Sequence, residues 1–427
     1  MNGRIQLAKL AIILLFTLVL ASDSSIGQPE TIKFENDDIA ALISQAKAGD
    51  KIVLPRGRHL VRQLVIDKPL ELIGTGIDAS ETILDGGGQT TILCIRADNV
   101  VVRNLTLCNV GNSFIEDRAA IKLEKVRGCV VSDNRIINSF FGIYLDNCER
   151  CEITGNLVRG EGTNEVTSGN GIHLWHSRNI YIARNQVSHH RDGIYFEFVE
   201  DSRIEDNVSD HNLRYGLHFM FSHNDAYIGN RFEHNGAGVA VMYTRNVVMR
   251  RNRFGHNWGS SAYGLLLKDI NDSEITHNLF DANTTGIYSE GSNRIAIEHN
   301  QFRSNGYAVK LLGNCSDHRF SGNSFTGNTF DVTTNTTRHD DNRFAENYWS
   351  AYQGYDLDHD GFGDVPYHPV RLFAYMVEKQ PAAILFLHSF LVESLDTAER
   401  VMPVFTPDSL SDKRPLMHVP ANEWEKN

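Results

Sequence analysis

The sequence predicts an all-β fold, a right-handed parallel β-helix of coils about 22 residues long, followed by a C-terminal extension. Three observations predict it: an asparagine marker with one dominant period, a glycine phrase sharing that period, and apolar-polar alternation inside each unit.

The asparagines are Asn134, Asn156, Asn185, Asn207, Asn230, Asn252, Asn278, Asn300, Asn323 and Asn342, followed two positions on by an apolar residue in every case but Asn207, where Ser209 stands. Their steps are 22, 29, 22, 23, 22, 26, 22, 23 and 19. The glycine phrase starts at Gly142, Gly171, Gly193, Gly216, Gly238, Gly264 and Gly286, with Ala308 in the next place, and shows the same two long steps. Inside a unit, Ile143-Tyr144-Leu145 or Ile194-Tyr195-Phe196 alternates with period two, which indicates short strands, and Gly and Asn mark the turns. No ten-residue helical stretch and no regular leucine spacing occurs in these units, so a leucine-rich repeat does not fit. Coils stacked at the inter-strand spacing of roughly 4.8 Å make a rod on the order of 50 Å long. An amide at one turn position in every coil then donates to one neighbour and accepts from the other.

The N-terminal segment precedes the rod. Arg4 and Lys9, an uncharged run from Leu10 to Leu20 and the small residue Ala21 have the order of a secretory signal over 1–21. The β-helix is expected over 22–347, a loop and apolar docking or capping segment over 348–402, and an extended or disordered tail over 403–427. The composition, 41% hydrophobic and 22% charged over 427 residues, supports a substantial core. Lys and Arg number 41 against 53 Asp and Glu, a net −12, which argues against nucleic acid as a partner. Six cysteines in so long a chain do not form a disulfide framework. Cys129 and Cys151 each lie five residues before their Asn, which stacks them inside the rod as buried thiols, with a disulfide between them or to Cys148 as the alternative.

Two insertions follow from the long steps: Gly160 to Ser168, and the stretch from His256 to Ala262. Loops on a rigid rod tend to carry binding function. Positions one and three after the Gly are apolar in nearly every unit and fill the interior, so positions two and four face outward. Position two reads Tyr144, His173, Tyr195, His218, Ala240, Leu266 and Tyr288; position four reads Asp146, Trp175, Glu197, Met220, Met242, Lys268 and Glu290. Large apolar and soft side chains on an outer face call for something that covers or binds them, with Trp175 and Tyr195 as partner-contact residues. Thioether and imidazole together suit Cu(I). The copper candidates are His173, His218, Met220 and Met242, with Glu197 and His223 in support; a plain hydrophobic contact surface is the competing reading. A sugar-cleaving or epimerising enzyme is the alternative class, but no close pair of outward acids supplies its chemistry.

After the last coil, Asp356, Asp358, Asp360 and Asp364 alternate around Gly361 as in calcium loops, where oxygens at every second residue wrap one hard cation. Tyr367 stands where an EF-hand needs its glutamate. The apolar stretch from Leu372 to Leu395 is either a cap for the end of the rod or a docking element, with Phe386, Leu387, Phe390 and Leu391 as its contact residues.

The phrases Gly171-Ile-His-Leu-Trp175, Arg191-Asp-Gly-Ile-Tyr-Phe196, Arg214-Tyr-Gly-Leu-His-Phe-Met-Phe-Ser222, Gly238-Val-Ala-Val-Met-Tyr243 and the segment from Asp356 to Tyr367 resemble the NosD family, periplasmic maturation proteins of nitrous oxide reductase. The resemblance implies a copper-associated accessory protein in the periplasm, at the inner membrane. Its implied partners are an ABC transporter permease with its separate ATPase subunit, a copper donor protein, and nitrous oxide reductase as client of copper-sulfur centre assembly. The chain has no Gly-x-x-x-x-Gly-Lys phosphate loop, in keeping with ATP hydrolysis on another chain.

Overall fold

The computed structural model describes residues 31–33, 38–76, 79–113, 115–336, 341–401, 410–420 and 424. The expected signal segment lies outside them. Each coil gives one short strand to each of three parallel sheets in turn, as Val130–Ser132, Arg135–Ile137 and Phe141–Asp146 do before Glu152–Thr154 starts the next coil. Among the described residues the sheets contain 14, 13 and 12 strands, paired in coil order. We call them the first, second and third sheets. The fold is the expected parallel β-solenoid.

Alternation within the strands fills the interior. Phe232, Phe254, Phe280, Phe302, Phe325 and Trp349 form one internal stack, with ring centroids 5.7, 4.8, 4.8, 4.8 and 4.2 Å apart. Each fully buried aromatic contributes on the order of 2 kcal/mol of apolar burial. The glycine column marks a close approach: a Cβ on Gly238 would sit 2.4 Å from the Gly264 carbonyl oxygen in the next coil.

The asparagine column is a continuous hydrogen-bonded ladder. Asn207 donates through its backbone N–H and its Nδ2 to Asn230 Oδ1 at 3.0 and 2.9 Å, and Asn230 does the same to Asn252 at 3.0 and 3.1 Å. The tenth member is Asn347, not Asn342: Asn323 donates to Asn347 Oδ1 at 3.1 and 2.9 Å. Asn342 sits at the opposite end of its strand and accepts from the His318 backbone N–H. A second ladder, missed by the sequence reading, runs through Asn212, Asn235, Asn257, Asn283, Asn305 and Asn328 at the turn between the second and third sheets.

Both ends are closed. Helix α1, Ile39–Gln45, starts on an Asp38 cap that accepts from the Ala41 N–H at 3.0 Å, and it sets Ile39 and Ile43 into the core. At the other end residues 410–420 lie extended against the last coil. Asp412, fully buried, accepts from Asn347 N–H and Nδ2 at 3.0 and 3.1 Å and from Trp349 Nε1 at 3.0 Å. Helices α2, Leu372–Lys379, and α3, Phe390–Val401, flank a 3₁₀ turn, Pro381–Phe386. They do not close the end of the rod: Phe373, Ala374 and Val377 pack with Phe330 and Tyr307 on the outer face of the third sheet, and Lys310 pairs with Glu378 at 2.7 Å.

Removing the Asp412 carboxylate strands buried donors on Asn347 and Trp349, at about 1–3 kcal/mol each. Asp412→Ala is therefore expected to cut the stability of the last coils by about 2–4 kcal/mol, read as faster amide hydrogen exchange confined to residues after Asn323. Unchanged exchange there would show that the carboxylate does not anchor the ladder.

Candidate functional site: the outer face of the third sheet

The strand register aligns both columns, although Tyr144, His218 and Ala240 at position two are buried. Tyr144, His173, Tyr195, His218 and Ala240 are successive register partners, and so are Asp146, Trp175, Glu197, Met220, Met242 and Lys268. Met220 and Met242 therefore stand side by side on adjacent strands, both half-buried. Tyr195 lies against Met220, its Oη 3.9 Å from Sδ, and donates to Glu197 Oε2 at 3.1 Å. Trp175 is 37% exposed at the edge of this group.

Position two is more enclosed than the sequence suggested. His173 is sandwiched between Tyr144 and Tyr195, with centroids 4.5 and 4.7 Å away, and its Nδ1 lies 2.9 Å from Asn170 Nδ2. Burial pushes its pKa down to about 3, so it stays neutral. Tyr195 stands between it and His218, which keeps His173 away from the methionines. His218 is on the same side of its strand as Met220, but it is almost fully buried. Arg214 Nη2 lies 3.3 Å from its Nδ1, and Asp192 Oδ2 lies 3.7 Å away. With Arg214 donating into Nδ1, the neutral ring carries its proton on Nε2, an atom with no hydrogen-bond partner. Arg214 Nε also grips the fully buried Asp192 at 2.8 Å. Burial acts to raise the Asp192 pKa, but the hydrogen bonds and positive charge of Arg214 hold it at about 2.

His223 is separated from this group. It lies beyond the turn that leaves the third sheet, its Nδ1 3.4 Å from Thr244 Oγ1. At that turn is a stripe the sequence reading passed over: His176, Phe198, Phe221 and Tyr243, each one residue past the methionine column. Their rings stack at 4.6, 5.3 and 5.0 Å, and Phe198, Phe221 and Tyr243 are 39, 37 and 39% exposed. All four adopt left-handed φ angles of 47 to 56°, a conformation bulky residues seldom take. Reading one more place along the glycine phrase would have found it.

All six cysteines are buried and unpaired. Cys151 lies within hydrogen-bonding reach of Cys129 and Cys148; that bonding and burial raise the pKa of both partners. In the acidic loop, Asp356, Asp358 and Asp360 bring oxygens within 4.8 Å of one another, the one such group of three among the described residues. Asp364 is turned away and accepts from the Leu357 N–H at 2.8 Å. On the helical segment Phe386, Phe390 and Leu391 are 59, 84 and 72% exposed, whereas Leu387 packs inward against the Phe373 and Val377 cluster.

Comparison with known proteins decides the family. The model of "Periplasmic copper-binding protein (NosD)" matches residues 75–210 and 158–354. The chain belongs to the NosD family. A relative in Pseudomonas aeruginosa, "Probable ABC transporter binding protein NosD", is 33% identical over 393 residues, covering 87% of this chain and 89% of its own. A Stutzerimonas stutzeri relative of the same name is 28% identical over 427 residues, covering 95% and 94%. Among solved structures, the catalytic unit of a GH87 α-1,3-glucanase from Streptomyces thermodiastaticus has a TM-score of 0.54 at 13% identity, covering 76% of this chain and 67% of that one. That likeness is one of fold alone. No helix among the described residues is long and apolar enough to cross a membrane.

His190 heads the second asparagine ladder: its backbone N–H donates to Asn212 Oδ1 at 3.1 Å, and burial holds its pKa at about 3. The unfolded ring takes up a proton below about pH 6.5, while the native ring stays neutral, so its burden on stability is absent above pH 6.5 and grows as pH falls toward 3. His190→Asn extends the ladder by one coil and removes that burden. At pH 5 the variant is expected to be more stable by about 2 kcal/mol, with a much smaller difference at pH 7.5; an equal effect at both pH values in urea unfolding would refute the assignment.

Proposed function

We infer that this chain is a periplasmic accessory protein that receives Cu(I) and serves assembly of the copper-sulfur centre of nitrous oxide reductase. The observation that carries the reading is the register of Met220 and Met242, which places two thioethers together on an outer face, next to Tyr195 and Glu197. Thioether sulfur prefers Cu(I) to hard cations. Half-buried and uncharged, the pair accepts copper by ligand exchange from a donor protein and passes it on, one ligand replacing another at a time. His218 joins as a third ligand once Arg214 releases its Nδ1 and the ring proton moves there. The aromatic stripe beside the methionines gives the donor protein or the client reductase an apolar surface to dock on.

The apolar edge formed by Leu385, Phe386, Phe390 and Leu391 is the contact to an ABC transporter permease, whose ATPase subunit hydrolyses ATP on the far side of the membrane. Asp356, Asp358 and Asp360 form a three-oxygen site of the kind calcium takes, and a bound ion would fix the loop that Arg414 joins through Asp360 at 3.0 Å.

A carbohydrate-active enzyme is the second reading, favoured by Asp192, Arg214, His218 and Tyr195 clustered on the face. Asp192 is a poor proton carrier at neutral pH, held ionised by Arg214. Incubation with uronic-acid polymers is expected to give no unsaturated or epimerised product, and turnover that Arg214→Ala abolishes would overturn the accessory role.

Competition titration of Cu(I) against a chromophoric chelator tests the first reading. Met220→Leu with Met242→Leu is expected to weaken binding at least about tenfold, while His223→Ala leaves it unchanged; equal affinity in the double variant removes the site. Phe390→Ser with Leu391→Ser is expected to abolish co-purification with the permease without changing Cu(I) affinity.

A further inference from the structure

A column of four histidines occupies the turn that leaves the second sheet. His189 follows the strand Gln186–Ser188, His211 follows Val208–Asp210, His234 follows Arg231–Glu233, and His256 follows Arg253–Gly255. These strands pair in register, so the four corners stack directly. The imidazoles are nearly parallel, at 10, 20 and 6°, with centroids 5.8, 5.2 and 5.0 Å apart. All four residues have φ between 52 and 59°. Histidine is one of the few side chains that enter this region readily, which accounts for a histidine at one corner. It does not account for four in succession, since the next corners in the column are Ala282 and Ser304 at the same φ.

Two further observations point to a ligand. His211 Nδ1 lies 2.9 Å from Asp210 Oδ2, an arrangement that places the ring proton on Nδ1 and leaves the Nε2 lone pair facing outward. His189 Nδ1 is enclosed and has no hydrogen-bond partner. It lines an open hollow of about 740 Å³ with Arg159, Glu161, Thr163, Asp210 and His211. Gly162 of the first inserted loop donates to the His189 carbonyl at 2.9 Å, and the second inserted loop begins at His256, so the column joins the two insertions. Toward the C-terminal end of the column the arginines are matched by acids, Arg231 and Arg253 pairing with Glu233 and Arg303 with Asp281, while at its N-terminal end Arg159 lies beside His189.

We propose that His189, His211, His234 and His256 form a chelating stripe for a divalent first-row transition cation, held between imidazoles of neighbouring coils. Metal–nitrogen bonds are about 2.0–2.1 Å long, so two nitrogens on one ion stand roughly 3–3.5 Å apart. Rings stacked at 5 Å reach that separation when each tilts about 1 Å toward its neighbour, which the exposed rings of His211, His234 and His256 are free to do. Nitrogen donors select such ions over magnesium and calcium. The stripe differs in place and donor type from the methionine pair and does not depend on it.

The test is calorimetric titration of untagged full-length protein with Zn²⁺ and with Ni²⁺ at pH 7.5, in excess Ca²⁺ to occupy the acidic loop. Binding tighter than about 10 μM is expected for at least one equivalent, as for multidentate imidazole sites. His211→Asn with His234→Asn, in which Asn keeps the left-handed corner, is expected to weaken it at least about thirtyfold with unchanged circular dichroism. Met220→Leu with Met242→Leu should leave it intact. Absence of binding in the parent protein, unchanged affinity in the histidine pair variant, or loss only in the methionine pair variant would each overturn the stripe.

Discussion

A carboxamide hydrogen-bonded to its own copy one coil away is the constraint on which the rest of the molecule depends. From Asn156 to Asn323 each asparagine of the main ladder donates twice toward the C-terminal neighbour and accepts twice from the N-terminal one, while its remaining Nδ2 hydrogen goes to a main-chain carbonyl, as Asn230 does to Ile204 at 2.9 Å. The side chain thus satisfies buried polar groups at a turn that would otherwise leave them orphaned. Because donors all point one way, the ladder is polar, and its donor end needs an acceptor. Asp412 supplies a charged one, brought back from 65 residues downstream of Asn347. A carboxylate at the donor end is favoured for the same reason an anion is favoured at a helix N-terminus.

A scaffold fixed from within leaves its surface columns free to diverge. Three corners and three strand faces repeat at each coil, and any residue type placed in one column becomes a stripe with a spacing near 5 Å. Aromatic residues make one stripe, thioethers and acids the next, and imidazoles a third on another edge. Each occupies the same central coils, between the two inserted loops, and beyond them α2 packs on the outer face of the third sheet where Phe373 meets Phe330. The helices leave Met220, Met242 and the aromatic corner uncovered, and their own apolar residues Phe386, Phe390 and Leu391 point away from the rod.

The period and the inward or outward phase were legible because alternation in a strand has only two phases, and glycine fixed which applied. The last ladder member was misread for a local reason: Asn342 carries the same sequence marker but stands five residues before the ladder, level with His318 of the previous coil, and the true step from Asn323 to Asn347 is 24. Asp412 and the docked tail depend on contacts across more than sixty residues, for which no local pattern exists. The enclosure of His173 and His218 by Tyr144, Tyr195, Arg214 and Asp192 comes from side-chain packing between coils, which alternation does not encode. Leu387 illustrates the same limit, since a 3₁₀ turn rotates it inward while its neighbours face solvent.

Enclosure also decides what each histidine does. A ring whose Nδ1 accepts from a cationic donor, as His218 does from Arg214, holds its proton where a metal would bind, and releasing it requires the ion pair with Asp192 to rearrange. A ring whose Nδ1 donates to a carboxylate, as His211 does to Asp210, presents a lone pair at once. The two arrangements lie on adjacent faces of one coil, and they assign different work: soft sulfur with a latent imidazole on the third sheet, open imidazoles on the corner beside it. On the proposed copper reading the ion meets sulfur first, and enlisting nitrogen there is coupled to movement of Arg214, a cation whose displacement itself makes the face more receptive to a positive ion.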